Sequence, residues 1–160
     1  MVSPSEWGPN AWELLHGLAE RVGNQSVVTL IRDEQNELRF TLKSLSALLP
    51  CRTCQGHYRE WLKHHSPERF LMKSGEYLQD DLREWLYRLH EDVNQRRGVV
   101  SGIEFDSAML KGLYASVDLR AKAQQLKSMF SRGVQQGVLK PEEWKAAWKH
   151  LDLLLRLIGV

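Results

Sequence analysis

"YLQDDLREWLYRLHEDVNQRRG", residues 77–98, sets the fold class. Leu78, Leu82, Trp85, Leu89 and Val93 fall three or four positions apart, which places them on one face of a helix. Gly98 follows as a C-terminal cap. The same period recurs on either side. Trp12, Leu15, His16, Ala19 and Val22 predict a helix over Trp7–Val22, with Ser3 or Ser5 as its cap. An apolar pattern from Phe40 to Leu49 stops at Pro50, and a further helix is expected from about Cys51 through Trp61 to His64. Val27, Val28 and Thr29 interrupt the helical series with a β-branched run that fits a loop, a short helix or a strand. The segment to residue 98 therefore predicts four helices.

Residues 99–160 read as an addition to this bundle. Asp106–Met129 is expected to be one helix with Met109, Leu113, Val117 and Leu126 inward, and Gly133 and Gly137 to interrupt the chain beyond it. "KPEEWKAAWKHLDLLLRLI" places Pro141 in a first helical turn, with Glu142 and Glu143 suited to the positive end of the helix dipole. Trp144, Trp148, Leu151, Leu155 and Ile158 line one face of that helix. So apolar a stripe must be covered, by the chain's own bundle or by a second copy. The expected architecture is all-α, with a bundle over 1–98 and a helical extension over 99–160.

Composition narrows the function. A net charge of +2 and scattered basic residues argue against nucleic acid, and no 18-residue apolar run or charged-then-apolar leader argues for a membrane or a secretory route. Two cysteines cannot build a disulfide scaffold, so packing must stabilise the fold. Six tryptophans suit a core or a planar ligand.

Both cysteines lie in "LLPCRTCQGHYREW", residues 48–61. Three readings stay open for Cys51-x-x-Cys54. Zinc would use Cys51, Cys54 and His57 with His64 or His65, although the last two sit two or three turns away. Two buried thiols are the second reading. The third is a redox pair: a helix opening near Cys51, with Arg52 beside it, lowers a thiol pKa and supplies the thiolate that disulfide exchange needs. Without strands, a thioredoxin fold is excluded as the setting. Trp12 and His16 share one helix face, as do His90 and Asn94 with Val93 beside them.

Taken in order, Trp7-Gly8 with Trp12 and Leu15-His16, Pro50-Cys51-Arg52-Thr53-Cys54-Gln55-Gly56-His57, and His90-Glu91-Asp92-Val93-Asn94 resemble the three motifs of the Erv/ALR family of FAD-linked sulfhydryl oxidases. The resemblance covers residues 6 to about 98. It implies a four-helix bundle holding FAD at its mouth, with Cys54 facing the flavin and Cys51 exchanging with substrate. Gly8, Trp12, His16, His57, His90, Val93 and Asn94 match cofactor-lining positions; Tyr58 and Trp61 follow by helix geometry, and Arg96 could meet the diphosphate. A substrate thiol, in a protein or a thioredoxin-like relay, would reduce the pair, and oxygen would become hydrogen peroxide. Relatives are commonly homodimers, and the minimal viral members of the family work in the cytoplasm, which is the compartment expected here. The alternative is a non-catalytic helical scaffold with structural zinc.

The chain also departs from the family's pattern. Glu91 stands where the resemblance expects asparagine, Arg97-Gly98-Val99 where it expects Leu-Gly-Lys, and Lys63 and Tyr87 where many relatives carry a second disulfide. No third cysteine is present to shuttle electrons.

Overall fold

The computed structural model describes residues 2–160, and every regular element among them is helical. They are α1 (Pro4–Ala19), α2 (Val28–Lys43), a 3-10 turn (Leu45–Leu48), α3 (Arg52–His64), the single turn α4 (Glu68–Leu71), α5 (Gly75–Arg96), α6 (Ser107–Tyr114), α7 (Leu119–Gln135) and α8 (Pro141–Leu157). Local chemistry sets several boundaries. Ser3 caps α1, accepting from Ser5 N–H; Asp106 and Asp118 cap α6 and α7 in the same way; Pro141 opens α8. The β-branched run does not form a strand: Val27 is the extended residue before α2, and Val28 begins it. Its exposed side chains leave the apolar face of α2, Leu38 and Leu42, to decide the conformation.

α1, α2, α3 and α5 form the bundle. α1 packs along α5, and Trp61 of α3 meets Trp85 of α5 edge to face at 5.0 Å. A buried ion pair ties α1 to α5: Arg83 Nε and Nη2 each donate at 2.6 Å to the Glu20 carboxylate, while Nη1 reaches Asp80 at 2.7 Å. Ser107, at the start of α6, donates to the same Asp80 oxygen at 2.9 Å, so the extension is anchored on this cluster.

Residues 99–160 close over the other side. α7 lies along α1, with Phe130 edge-on to Trp7 at 6.0 Å and Lys122 paired to Glu13 at 2.9 Å. α8 lies along α2, where His150 Nδ1 meets Glu37 Oε2 at 2.7 Å and the His150 ring stacks on Phe40. Of the α8 stripe, Trp148, Leu151 and Leu155 are buried and Trp144 and Ile158 pack against the same core, so the chain itself covers the face.

The long helix expected over Asp106–Met129 is two helices, because the chain turns between Tyr114 and Asp118, and Asp118 starts a new cap. That turn puts Leu110 inside and leaves Leu113 55% exposed, the reverse of the inward placement expected for Leu113. Gly133 does not interrupt α7; the break comes at Gly137, whose φ of 74° is open to glycine.

Candidate functional site

Cys51 is the N-cap of α3. Pro50 keeps the preceding backbone out of the helix, Cys51 is extended, and its sulfur accepts a hydrogen bond from Cys54 N–H at 3.2 Å. One turn apart, the two cysteines are joined as a disulfide. A sulfur at this place faces the unpaired N–H groups that open a helix, the setting that favours thiolate once the bond is reduced.

The disulfide forms one wall of a cleft of about 340 Å³. α1 contributes Trp7, Gly8, Ala11, Trp12 and Leu15; α3 contributes His57, Tyr58 and Trp61; α5 contributes Leu89, Asp92, Val93 and Arg96, with Arg97 just beyond. The cleft is mostly apolar and aromatic. Trp7 Nε1 is buried without a hydrogen-bond partner. Gly8 leaves open space where a side chain would stand. Tyr58 is buried and donates its hydroxyl to the Leu42 carbonyl; burial pushes its phenol far up, so it stays neutral. Arg96 is held by Asp92 at 2.9 Å.

Past Trp12 lies a second cleft of about 550 Å³, which shares Gly8, Trp12 and Arg97 with the first. Trp12 and His90 stack there at 3.9 Å, nearly parallel. Behind them His16 Nε2 meets His90 Nδ1 at 3.1 Å, and Tyr114 of α6 stacks on His16 at 4.5 Å. Burial, then the neighbouring His90, holds His16 down at about 3; burial also lowers His90, with Arg97 assisting and Glu91 opposing. Both rings are neutral at pH 7, one donating to the other.

Of the residues marked in the sequence, Gly8, Trp12, Cys51, Cys54, His57, Tyr58, Trp61, Val93 and Arg96 line the first cleft. His90 lines the second, and His16 is buried behind it. Asn94 lines neither; its amide donates to Glu91 Oε1 at 3.3 Å, and Ser101 Oγ donates to the same oxygen at 2.7 Å. Glu91 thus ties Asn94 to the loop after α5. The zinc arrangement is not formed: His65 stacks on Trp61, His64 faces Glu60 in solvent, and no group of three metal-ligating side chains occurs among the described residues.

A family model, the Erv1/Alr family, matches residues 9–111. The chain belongs to the Erv1/Alr family. Curated relatives agree: it is 26% identical over 97 residues to "FAD-linked sulfhydryl oxidase ERV1" of Arabidopsis thaliana, covering 61% of this chain and 45% of that protein. It is 28% identical over 95 residues to "Mitochondrial FAD-linked sulfhydryl oxidase erv1" of Schizosaccharomyces pombe, covering 59% and 47%. A third relative, from Oryza sativa subsp. japonica, carries the same name as the first at 27% identity, covering 61% of this chain and 44% of its own length. The chain thus matches a little under half the length of these relatives. No solved structure matches it significantly.

The Erv1/Alr motifs account for most of the cleft, yet several lining residues lie outside them. Ala11 lies midway between Trp7 and Leu15 on one face of α1, and Leu89 sits one turn before Val93, so periodicity marks their side of each helix. Leu45 of the 3-10 turn and Leu49 just after it line the first cleft, and Tyr114 of α6 lines the second; only the tertiary fold brings them in.

Proposed function

We propose that the chain is an FAD-dependent thiol oxidase that makes disulfides in protein substrates. One observation carries this reading: the Cys51–Cys54 disulfide, at a helix N-terminus, is a wall of an aromatic cleft. The residues present fit a flavin dinucleotide. A flat ring finds apolar and aromatic walls, Trp7 Nε1 is an unused donor, and Gly8 leaves room. The second cleft past Trp12, with Arg97 at its border, offers space and positive charge for the rest of the molecule. When bound, FAD would accept two electrons from the reduced cysteine pair and return them to oxygen as hydrogen peroxide.

The chain's own part is thiol chemistry. A substrate thiolate attacks Cys51 Sγ, the Cys51–Cys54 bond breaks, and Cys54 leaves as thiolate. A second substrate thiolate attacks the mixed disulfide at its substrate sulfur, releasing oxidised substrate and a Cys51 thiolate that Cys54 N–H and the α3 terminus stabilise. Cys54 lies on the cleft wall beside His57 and Tyr58, and is the sulfur assigned to the cofactor side. Trp12, His16, His90, Val93, Asn94 and Arg96 are assigned to holding the cofactor, His16 and Asn94 acting through His90 and Glu91.

The substrate in this reading is a dithiol protein or a thioredoxin-like relay that reduces the Cys51–Cys54 bond. A cytoplasmic setting is supported by a fold that closes without a second disulfide: Lys63 pairs with Glu60, and Tyr87 packs on Phe105. One relative is named as mitochondrial. No helix among the described residues is long and apolar enough to cross a membrane. A homodimer would pair through a surface other than the α8 stripe, which is buried in the chain.

The test is colour and oxygen. The purified protein should be yellow, release flavin on denaturation, and consume oxygen with dithiothreitol. A colourless protein that fails to bind added FAD overturns the reading, and stoichiometric zinc would favour the scaffold alternative.

A further inference from the structure

Gly133 lies inside α7, where alanine would be the better helix former, and its φ does not require glycine. The reason for glycine is space. A Cβ there would stand 2.7 Å from the Cβ of Pro50, the residue before Cys51. The Gly133 carbonyl also accepts from Val138 N–H at 3.0 Å and Leu139 N–H at 3.3 Å, so the same residue anchors the α7–α8 turn. That turn grips the cysteine motif from the other side: Gln55 Nε2 donates to Leu49 O at 2.8 Å and Val138 O at 3.4 Å, and Arg52 Nη2 reaches Gly137 O at 3.5 Å. Pro50 is buried, Leu139 is buried, and Cys51 N–H donates to Leu49 O at 2.8 Å. The segment 49–51 is thus clamped between α3 and the turn 133–139.

From this geometry we propose that Gly133 is a positioning residue for Cys51. By seating Pro50 against α7, it fixes the extended backbone of Cys51 that lets Cys51 Sγ accept from Cys54 N–H. Residues of the extension, outside the stretch that the family model matches, thereby set the reactivity of the redox pair. This rests on the thiol-exchange reading of Cys51–Cys54. A larger side chain at 133 pushes Pro50 away, lengthens that hydrogen bond and destabilises the Cys51 thiolate. The thiol then titrates at higher pH, and the disulfide becomes harder to reduce.

The test uses the full chain as purified, with Gly133→Ala, Gly133→Val, Gln55→Ala and Leu139→Ala. Leu154→Ala serves as a control, since Leu154 is fully buried on α8. Two readouts need neither flavin turnover nor oxygen: the pH dependence of Cys51 alkylation in the reduced protein, and the equilibrium of the Cys51–Cys54 disulfide with glutathione. Gly133→Val should slow Cys51 alkylation at pH 7 and shift the glutathione equilibrium towards the disulfide, each by about three- to tenfold. Gly133→Ala, Gln55→Ala and Leu139→Ala should move both the same way by less. Leu154→Ala should lower the melting temperature and leave both unchanged.

If Gly133→Val melts lower but keeps the wild-type alkylation profile and equilibrium, α7 is only a packing element and the proposal fails. Should both Gly133 variants fail to fold, Leu139→Ala decides: it loosens the turn anchored on the Gly133 carbonyl without adding bulk or altering α3, and unchanged alkylation and glutathione equilibrium in it would overturn the proposal. Absent oxygen consumption in the wild type would sink the oxidase reading while leaving these two readouts to judge Gly133.

Discussion

Cys51 and Cys54 have no substitutes in a two-cysteine chain, and that makes their replacements informative. Cys51→Ser and Cys54→Ser should each reduce dithiothreitol-driven oxygen uptake to background, while melting within a few degrees of wild type. Near-normal uptake in both would remove the proposed electron path. His16 gives a pH prediction whose sign can be worked out. Held neutral at about 3 in the fold and near 6.5 when unfolded, it binds its proton in the unfolded state first. Its contribution to stability is complete above pH 6.5 and is lost as pH falls towards 3, by at most about 1.4 kcal/mol per pH unit. Between pH 6.5 and 5 few carboxylates titrate, so thermal melts there should show a slope that His16→Gln flattens. An unchanged slope in that variant would mean that His16 does not stay neutral. Residue identity made His16 and His90 visible in the sequence, but not their mutual hydrogen bond: which ring nitrogens meet depends on how α1 and α5 cross.

The helices were legible where an apolar face repeats, as in α5, α8 and α1, and less so where one short break redirects the chain. Tyr114–Asp118 is such a break. Its residues read as helical, but Asp118 caps a new helix with its own carboxylate, and tertiary packing inverts which side of α6 is inside. The α1–α5 contact was illegible for a different reason. Arg83 falls among polar residues of an amphipathic helix, and only the fold reveals that its guanidinium is buried against Glu20 and Asp80. Arg83→Met should therefore cost about 3–5 kcal/mol, because Glu20 is left buried without its cation. Adding Glu20→Gln should recover much of that loss in denaturant melts. A cost for Arg83→Met below about 1 kcal/mol would show that Glu20 finds water or another partner.

For the molecule as one body, the two ends of the sequence share a core. Trp148 meets Phe130, which meets Trp7 on the wall of the cleft. Trp148→Glu should accordingly cost several kcal/mol, by placing a carboxylate among apolar side chains, and should reduce soluble protein together with bound flavin. A stable, yellow, smaller species in sizing chromatography would instead return the α8 stripe to the role of a contact between copies. The motifs made the chemistry of the cleft readable from residues 7–94, since they fix residue type and order. The support beneath it was not readable, because Gly133 against Pro50 is a contact between segments that no local pattern links.

The pairing of α7 with α1 has a consequence in time. Lys122 reaches Asn10 and Arg132 reaches Glu6 across more than a hundred residues of chain. Contacts that far apart in sequence slow the search for the native state, because long loops must close before they are rewarded. During synthesis, α1 leaves the ribosome well before its cover exists. Until residues 119–160 emerge, Trp7 lacks Phe130, Pro50 lacks Gly133, and the cysteines sit on an unfinished surface. A thiol pair that becomes properly seated only once α7 and α8 have docked is one whose chemistry starts late in the folding of these helices.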